Sequence, residues 1–181
     1  MQQSLIFIVR TLSDLYLLTF LLRFIFQWVR ADYYNPFAQF VVKVTNPLVV
    51  PARRVLPSVG GVDLPTLVVL VILEALVTAL LIALAGWSVP VPTFLYFTLL
   101  RLIHLTLWFY TVAILVYVVL SWIGQAGYSP LARLLDQIVE PVLRPARRLL
   151  PPIGGLDLSP LLVMILLQAV VIALRLPPLL A

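Results

Sequence analysis

The sequence predicts an all-α membrane protein in which four transmembrane helices form two parallel-repeat hairpins, each with an interfacial amphipathic helix in its cytoplasmic connection. Three observations predict this fold class: an apolar composition, four apolar stretches of spanning length, and an internal repeat. Of the 181 residues, 63% are hydrophobic and only 10% are charged, and the mean hydropathy is +1.13. Because a water-soluble domain carries about a quarter charged residues, the bilayer is the expected solvent of this chain.

Composition and motifs also narrow the expected chemistry. The chain has no cysteine and one histidine, so it lacks the residues for a thiolate or histidine-cluster metal site. No nucleophile, base and orienting group occur at a recognisable spacing, and Gly60-Gly61 lacks the further glycines of a phosphate-binding loop. We therefore expect no enzymatic activity and no cofactor. The net charge of +5 favours an anionic membrane surface as partner and not nucleic acid. In so apolar a chain, basic residues set the orientation of the protein in the membrane.

Four stretches are long enough to cross the hydrocarbon layer, which needs about 20 mostly apolar residues. They comprise residues 5–29, 64–86, 94–123 and 158–176. The first stretch has neither the basic leader nor the cleavage site of a secretory signal peptide. We expect it to remain in the mature protein as a spanning helix.

Lysine and arginine are concentrated in two of the connections between these stretches. Residues 30–63 and 124–157 carry eight of the twelve basic residues, whereas residues 1–4 and 87–93 carry none. Short basic connections stay in the cytoplasm. Both long connections are therefore expected to be cytoplasmic, with both chain ends outside.

The chain repeats itself at an offset of 94 residues. Between residues 35–65 and 129–159, 13 of the 31 aligned positions are identical, which indicates an internal duplication. Each half contains an even number of crossings, so the two halves run in the same sense. The predicted domains are a first repeat at residues 1–86, a short connection at 87–93, and a second repeat at 94–181.

Each long connection begins with a predicted amphipathic helix. Asn35 and Ser129 are suitable helix caps, and a proline follows each of them. Apolar residues then recur at helical spacing; they are Phe37, Phe40, Val41 and Val44 in the first copy and Leu131, Leu134, Leu135 and Ile138 in the second. Such a helix is expected to lie in the membrane interface with its apolar face among the acyl chains. It is either a docking surface for a partner or an anionic lipid, or a structural brace.

The motif Pro-x-x-x-Pro-Ala-Arg-Arg-x-Leu-Pro, followed by Gly-Gly-x-Asp-Leu, occurs after each amphipathic helix and predicts a rigid turn. Paired glycines permit positive φ, and the aspartate can cap the next helix. These turn and cap residues are Gly60, Gly61, Asp63, Gly154, Gly155 and Asp157. The arginines are expected either to contact lipid phosphates or a partner, or to pair with the aspartates, although anchoring by positive charge also explains their sign. They are Arg53, Arg54, Arg147 and Arg148.

This twofold motif resembles the YggT family of bacterial membrane proteins, also called YlmG-like, and the resemblance covers essentially the whole chain. It implies an integral protein of the bacterial inner (cytoplasmic) membrane and brings no catalytic residues with it. Members of the family are linked to cell division or nucleoid distribution, to assembly of cytochrome complexes in plastids, and to tolerance of osmotic shock. The two copies differ in the position of the proline that opens the next helix. It is Pro65 in the first copy and Pro160 in the second, one position later than the 94-residue offset predicts.

Charged residues inside the predicted spans need partners, because a charge at mid-bilayer costs about 2.5–3.5 kcal/mol on insertion scales. Arg23 and Glu74 lie at depths that a long arginine side chain can bridge, so we expect them to form an ion pair. Their counterparts in the second repeat are Tyr117 and Gln168, which we expect to share a hydrogen bond.

The remaining intramembrane polar residues leave two functions open. Arg10 and Asp14 are expected to pair along one helix face, and His104 is expected near the outer interface. If these groups only join helices, the protein is a non-enzymatic membrane organiser or assembly factor that presents basic helices to lipids or partner proteins. If they line an ion or proton path, the protein is a small channel or transporter active in osmotic adaptation. A homo-oligomer is compatible with both functions.

Overall fold

The computed structural model describes residues 2–122, 129–150, 157–178 and 180, and it is helical throughout most of these ranges. The helices are α1 (Gln2–Trp28), α2 (Pro36–Val55), α3 (Leu64–Leu84), α4 (Val91–Trp122), α5 (Pro130–Leu149) and α6 (Ser159–Leu174). The prediction of an all-α chain is confirmed for the described residues. Within these ranges three helices, α1, α3 and α4, are long and apolar enough to cross a membrane.

Helix α6 is shorter than the fourth predicted span, which extended from residue 158 to 176. Its 16 residues rise about 24 Å at 1.5 Å per residue, less than the roughly 30 Å of the hydrocarbon layer. Arg175 has a left-handed backbone with φ of 48°, and Pro177 and Pro178 follow it, so the helix cannot continue. By length, three of the four predicted spans are confirmed.

The helices pack as two triplets of the same pattern. In the first triplet α1 packs against α3 and α2 contacts both, and in the second α4 packs against α6 and α5 contacts both. The triplets meet chiefly through α3 and α4, with additional contacts between α1 and α4 and between α2 and α5. This is the arrangement expected of a duplicated unit, while the domain limits at residues 86 and 94 stay a prediction.

The two connecting helices, α2 and α5, lie at the same end of the bundle and contact each other. The Asn35 side chain donates from Nδ2 to the carbonyl of Pro130 at 2.6 Å, and the Asp32 amide donates to Oε1 of Gln137 at 3.2 Å. Two parallel copies of one unit place their connections in this way. Inverted copies would have placed them at opposite ends.

The predicted caps of α2 and α5 are confirmed. The Asn35 side chain accepts a hydrogen bond from the Phe37 amide, and the Ser129 side chain accepts one from the Ala132 amide. In both helices proline occupies the first helical position, where its missing N–H costs no hydrogen bond.

Both helices end later than the sequence motif predicted. The prolines that were expected to form a turn lie inside the helices, at positions 47 and 51 of α2 and 141 and 145 of α5. All four prolines are exposed. A proline cannot donate to the carbonyl four residues before it, and here those carbonyl groups lie near an exposed face. The turn of the first copy is therefore confined to residues 56–63.

The apolar stripe of α5 packs against the bundle, so the prediction that it lies among acyl chains is wrong. Three of its four residues, Leu134, Leu135 and Ile138, are buried within the chain, whereas Leu131 at the start of the helix is 36% exposed. Helix α2 is intermediate, because its Val41 is buried whereas Phe40 is 62% exposed. Helix α5 packs against both α4 and α6, so its stripe is covered within the chain.

Candidate functional site

A buried charged cluster is centred on Arg101 of α4. Its Nε donates to Oε1 of Glu74 at 2.6 Å, its Nη2 to Oδ1 of Asp14 at 2.7 Å, and its Nη1 to the carbonyl of Leu180 at 2.7 Å. The side chains of Arg101 and Glu74 are 3% and 1% exposed, whereas that of Asp14 is 33% exposed. One guanidinium group thus joins α1, α3, α4 and the segment that follows α6.

The hairpin of α3 and α4 brings Glu74 and Arg101 to the same depth. Glu74 lies ten residues before Leu84, where α3 ends, and Arg101 lies ten residues after Val91, where α4 begins. Both are therefore about 15 Å from the hairpin connection. In a low-dielectric interior two such charges are tolerated only as a hydrogen-bonded pair.

The predicted pair of Arg23 and Glu74 is wrong, because Arg101 takes the place assigned to Arg23. Arg101 was not among the charged residues for which a partner was predicted. Its counterpart in the first repeat is Phe7, so a comparison of the repeats gives no signal at this position. The signal that could have found it is the equal spacing of Glu74 and Arg101 from the α3–α4 connection.

Arg23 joins α1 to α2. It is 6% exposed, and its Nη1 donates to Oγ1 of Thr45 at 2.7 Å, to Oδ1 of Asn46 at 2.9 Å and to the carbonyl of Val42 at 3.3 Å. These neutral acceptors lie on the connecting helix of the same repeat. Arg23 therefore fixes α2 against the end of α1.

The predicted hydrogen bond between Tyr117 and Gln168 is not formed. Gln168 is exposed on α6, while the Tyr117 hydroxyl accepts a hydrogen bond from Nη2 of Arg147 at 3.3 Å. Arg147 in turn donates to Glu140 of α5. Positions 23 and 117 of the two repeats thus have the same role, since each ties the first helix of its triplet to the connecting helix.

Two buried oxygen atoms near Arg101 have no hydrogen-bond partner among the described residues: Oε2 of Glu74 and Oγ1 of Thr78. The buried cluster contains two carboxyl groups and one guanidinium. If all three are ionised, its formal charge is −1. Within the described residues no group of three His, Asp or Glu side chains could hold a metal ion.

A cavity of about 390 Å³ lies between α1 and α4 beside this cluster. Arg10, Asp14, Arg101 and His104 form part of its lining. The predicted local pair of Arg10 and Asp14 is wrong, since Arg10 donates to the carbonyl of Pro178 at 3.1 Å and Asp14 pairs with Arg101. His104 lies 13 residues after the start of α4, deeper than the expected interface position.

An equivalent arginine–aspartate pair closes the connection in each repeat. Arg53 Nη2 lies 2.7 Å from Oδ2 of Asp63, and Arg147 Nε lies 2.9 Å from Oδ2 of Asp157. Each pair spans ten residues, and the two pairs are related by the 94-residue offset. Of the alternatives left open by the sequence, pairing with aspartate therefore applies to the first arginine of each motif.

Asp63 also caps α3, and the preceding glycines turn the chain towards it. Gly60 and Gly61 have φ of 62° and 82°, which residues with a Cβ rarely adopt. Burial alone would raise the pKa of Asp63, but hydrogen bonds from Thr66 and Arg53 outweigh it and hold that pKa below its ordinary value. Gly154 and Gly155 lie outside the described residues.

The second copy of this connection is also held by ionic hydrogen bonds. Asp157 accepts from the Ser159 amide at 2.9 Å. Burial opposes ionisation of Asp157, but this bond and Arg147 lower its pKa. Burial would lower the pKa of Arg147, whereas the bonds to Asp157 and Tyr117 and the charge of Glu140 raise it. Both partners are therefore charged at neutral pH.

Five exposed cations at this end of the bundle form no ion pair among the described residues. They are Arg30, Lys43, Arg54, Arg133 and Arg148. Two exposed aspartates there, Asp32 and Asp136, also form no ion pair among the described residues. The five cations and two anions together carry a net charge of +3. The second arginine of each motif, at positions 54 and 148, is thus free to contact another molecule.

The helical bundle and its buried charges define a multi-pass membrane protein. The CCB3/YggT family profile matches residues 2–85 and 96–177. The chain belongs to this bacterial membrane-protein family, and the match falls in two segments, in accordance with the two-repeat form.

Relatives from several bacteria align over most of their length. The "Uncharacterized protein PA0392" of Pseudomonas aeruginosa is 41% identical over 167 residues, which cover 91% of this chain and 85% of the relative. The "Uncharacterized protein YggT" of Escherichia coli K12 is 39% identical over 167 residues, covering 92% and 87%. The "Uncharacterized protein in proC 3'region" of Vibrio alginolyticus is 43% identical over 171 residues, covering 91% and 90%. No solved structure gives a significant match.

Proposed function

We propose that this protein is a non-enzymatic organiser of the bacterial inner membrane, in which α2 and α5 together form a basic cytoplasmic surface that binds anionic lipid headgroups. The observation that carries this proposal is the contact between α2 and α5, which places the exposed, ion-pair-free cations of both repeats at one end of the bundle. In the proposed topology α1, α3, α4 and α6 all cross the membrane. The short α6 is accommodated by local thinning of the bilayer.

The two arginines of each motif have different environments, and this difference supports lipid binding by the second arginine. Arg53 and Arg147 are held by Asp63 and Asp157, so they stabilise the connection. Arg54 in the last turn of α2 and its counterpart at position 148 in α5 are exposed. Guanidinium groups near a membrane surface attract anionic headgroups, worth about 1 kcal/mol per residue.

The double variant Arg54→Glu plus Arg148→Glu should lose most of its bound anionic lipid. The measurement is native mass spectrometry of detergent-solubilised protein titrated with phosphatidylglycerol, with zwitterionic phosphatidylethanolamine as the reference lipid. Reversing two charges worth about 1 kcal/mol each should lower the affinity for phosphatidylglycerol by at least tenfold and leave the weak binding of phosphatidylethanolamine unchanged.

The matched control is Arg175→Glu, which reverses a cation beyond the end of α6 and should not change lipid binding. Equal retention of phosphatidylglycerol by the double variant and the unmodified protein would refute the basic surface. Partner proteins for the same surface would then have to be sought by crosslinking in the native membrane.

A second candidate function is a small ion channel or transporter. It is favoured by the unpaired Glu74 oxygen and by the polar cavity between α1 and α4. Ion flux through reconstituted protein that Glu74→Gln abolishes would establish this function. Absence of flux under gradients of protons, sodium and potassium would remove it.

A further inference from the structure

Equivalent positions of the third helix in each triplet differ in their exposure. Glu74 and Thr78 of α3 are fully buried. Their counterparts 94 residues later, Gln168 and Ile172 of α6, are both exposed, Ile172 to 76%. Because the helices are copies of one unit, the difference marks a surface that is covered in the first repeat and uncovered in the second.

The first helix of each triplet shows the opposite contrast. Three positions on one face of α4, each four residues from the next, are buried, and their counterparts on α1 are all exposed. The buried residues are Arg101, Leu105 and Phe109, and the exposed residues are Phe7, Thr11 and Leu15. Here the second repeat is covered and the first is not.

These two contrasts concern the two sides of one interface. Within the chain α3 packs against α4, and the pair of Glu74 and Arg101 lies in that interface. Among the described residues, α6 and α1 do not form a packed helix pair with each other. Each molecule therefore presents one uncovered copy of each half of an interface that it already contains.

We propose that a second copy of this chain covers these faces, with α6 of one molecule docked antiparallel on α1 of the other in the manner in which α3 docks on α4. The inference is independent of lipid binding by α2 and α5. The contact joins two different faces, α6 of one molecule and α1 of the other. When two molecules make this contact in both directions, they close a twofold symmetric dimer. Four three-helix units would then surround one axis.

The polar residues at these faces fit such a contact. Gln168 is an amide in the middle of an otherwise apolar helix, and exposure to lipid would leave its donors and acceptor unsatisfied. Phe7, Thr11 and Leu15 border the cavity that contains Asp14, whose side chain is one-third exposed. A docked α6 brings an amide that can both donate and accept to the mouth of a polar cavity.

Disulfide crosslinking tests the contact cleanly, because the chain has no cysteine of its own. Phe7→Cys in one tagged chain and Gln168→Cys in a differently tagged chain reproduce the positions of Arg101 and Glu74. We expect oxidation of membranes that contain both chains to convert most of the mixed pairs into a covalent dimer. Each variant alone should remain monomeric under denaturing conditions.

The matched control uses the variant Leu166→Cys in place of Gln168→Cys. Position 166 lies on the other side of α6. Leu166 is 55% exposed and its counterpart Ile72 is 54% exposed, so neither repeat covers this side. A dimer with position 168 and none with 166 supports the proposal. Equal yields at both positions, no dimer at either, or a crosslink from position 168 to a different protein would overturn it.

Discussion

The variant Arg101→Met should lower the free energy of unfolding by about 3–5 kcal/mol, since removing one partner of a buried ion pair leaves the other charge uncompensated. Here two carboxyl groups, Glu74 and Asp14, lose their partner at once, and the carbonyl of Leu180 loses its donor. The measurement is equilibrium unfolding in mixed detergent micelles, followed by helical circular dichroism.

Arg54→Met is the matched control for this experiment, because it removes an exposed arginine without an ion pair among the described residues. Its effect should stay within about 0.5 kcal/mol. If Arg101→Met were as mild as this control, the buried cluster would not join the two triplets as described.

A double-mutant cycle should give a coupling energy of about 2 kcal/mol between Glu74→Met and Arg101→Met, in the range found for residues in direct contact. The double variant should be more stable than the sum of the single losses predicts, because it leaves no stranded charge between these two positions. The same unfolding assay measures both single variants and the double variant.

The cycle of Glu74→Met with Arg23→Met should be additive within about 0.5 kcal/mol. Arg23 and Glu74 share no hydrogen-bond partner, since Arg23 donates to Thr45, Asn46 and the carbonyl of Val42. A strong coupling in this second cycle and none in the first would restore the pair predicted from sequence and contradict the structure.

Much of the architecture follows from the sequence, because hydrophobic length and an internal repeat are properties that can be read along the chain. The caps at Asn35 and Ser129 are correct since capping depends on neighbouring residues. The end of α2 was predicted too early, because Pro47 and Pro51 are tolerated inside a helix when they lie on an exposed face. That exposure is set by packing between helices.

The buried charges show where such reasoning fails. The pairing of Arg23 with Glu74 was inferred from depths that an arginine side chain can bridge and from their joint replacement in the second repeat. Each position instead has its own partner. Arg101 belongs to the contact between repeats, where the two copies cannot be equivalent. Its counterpart, Phe7, is uncharged, so the comparison of repeats could not reveal it.

The two connections also differ in the chemistry of their contacts. In the first repeat Arg23 reaches neutral groups of α2, whereas in the second repeat Tyr117 meets α5 through Arg147 and Glu140. The fixed feature is the position of the contact between the first and connecting helices. Its chemistry varies because either a cation or a hydroxyl group can satisfy the neighbouring helix.

Two parallel copies of one unit should place their arginine-bearing connections on the same side of the membrane. Single cysteines introduced at Ser58, Arg148 and Ser88 into this cysteine-free chain test it through reaction with a membrane-impermeant maleimide. Ser58→Cys and Arg148→Cys should react only in inverted vesicles, which present the cytoplasmic face, and Ser88→Cys only in intact spheroplasts. Reaction of positions 58 and 148 from opposite sides would contradict the parallel arrangement of the two repeats.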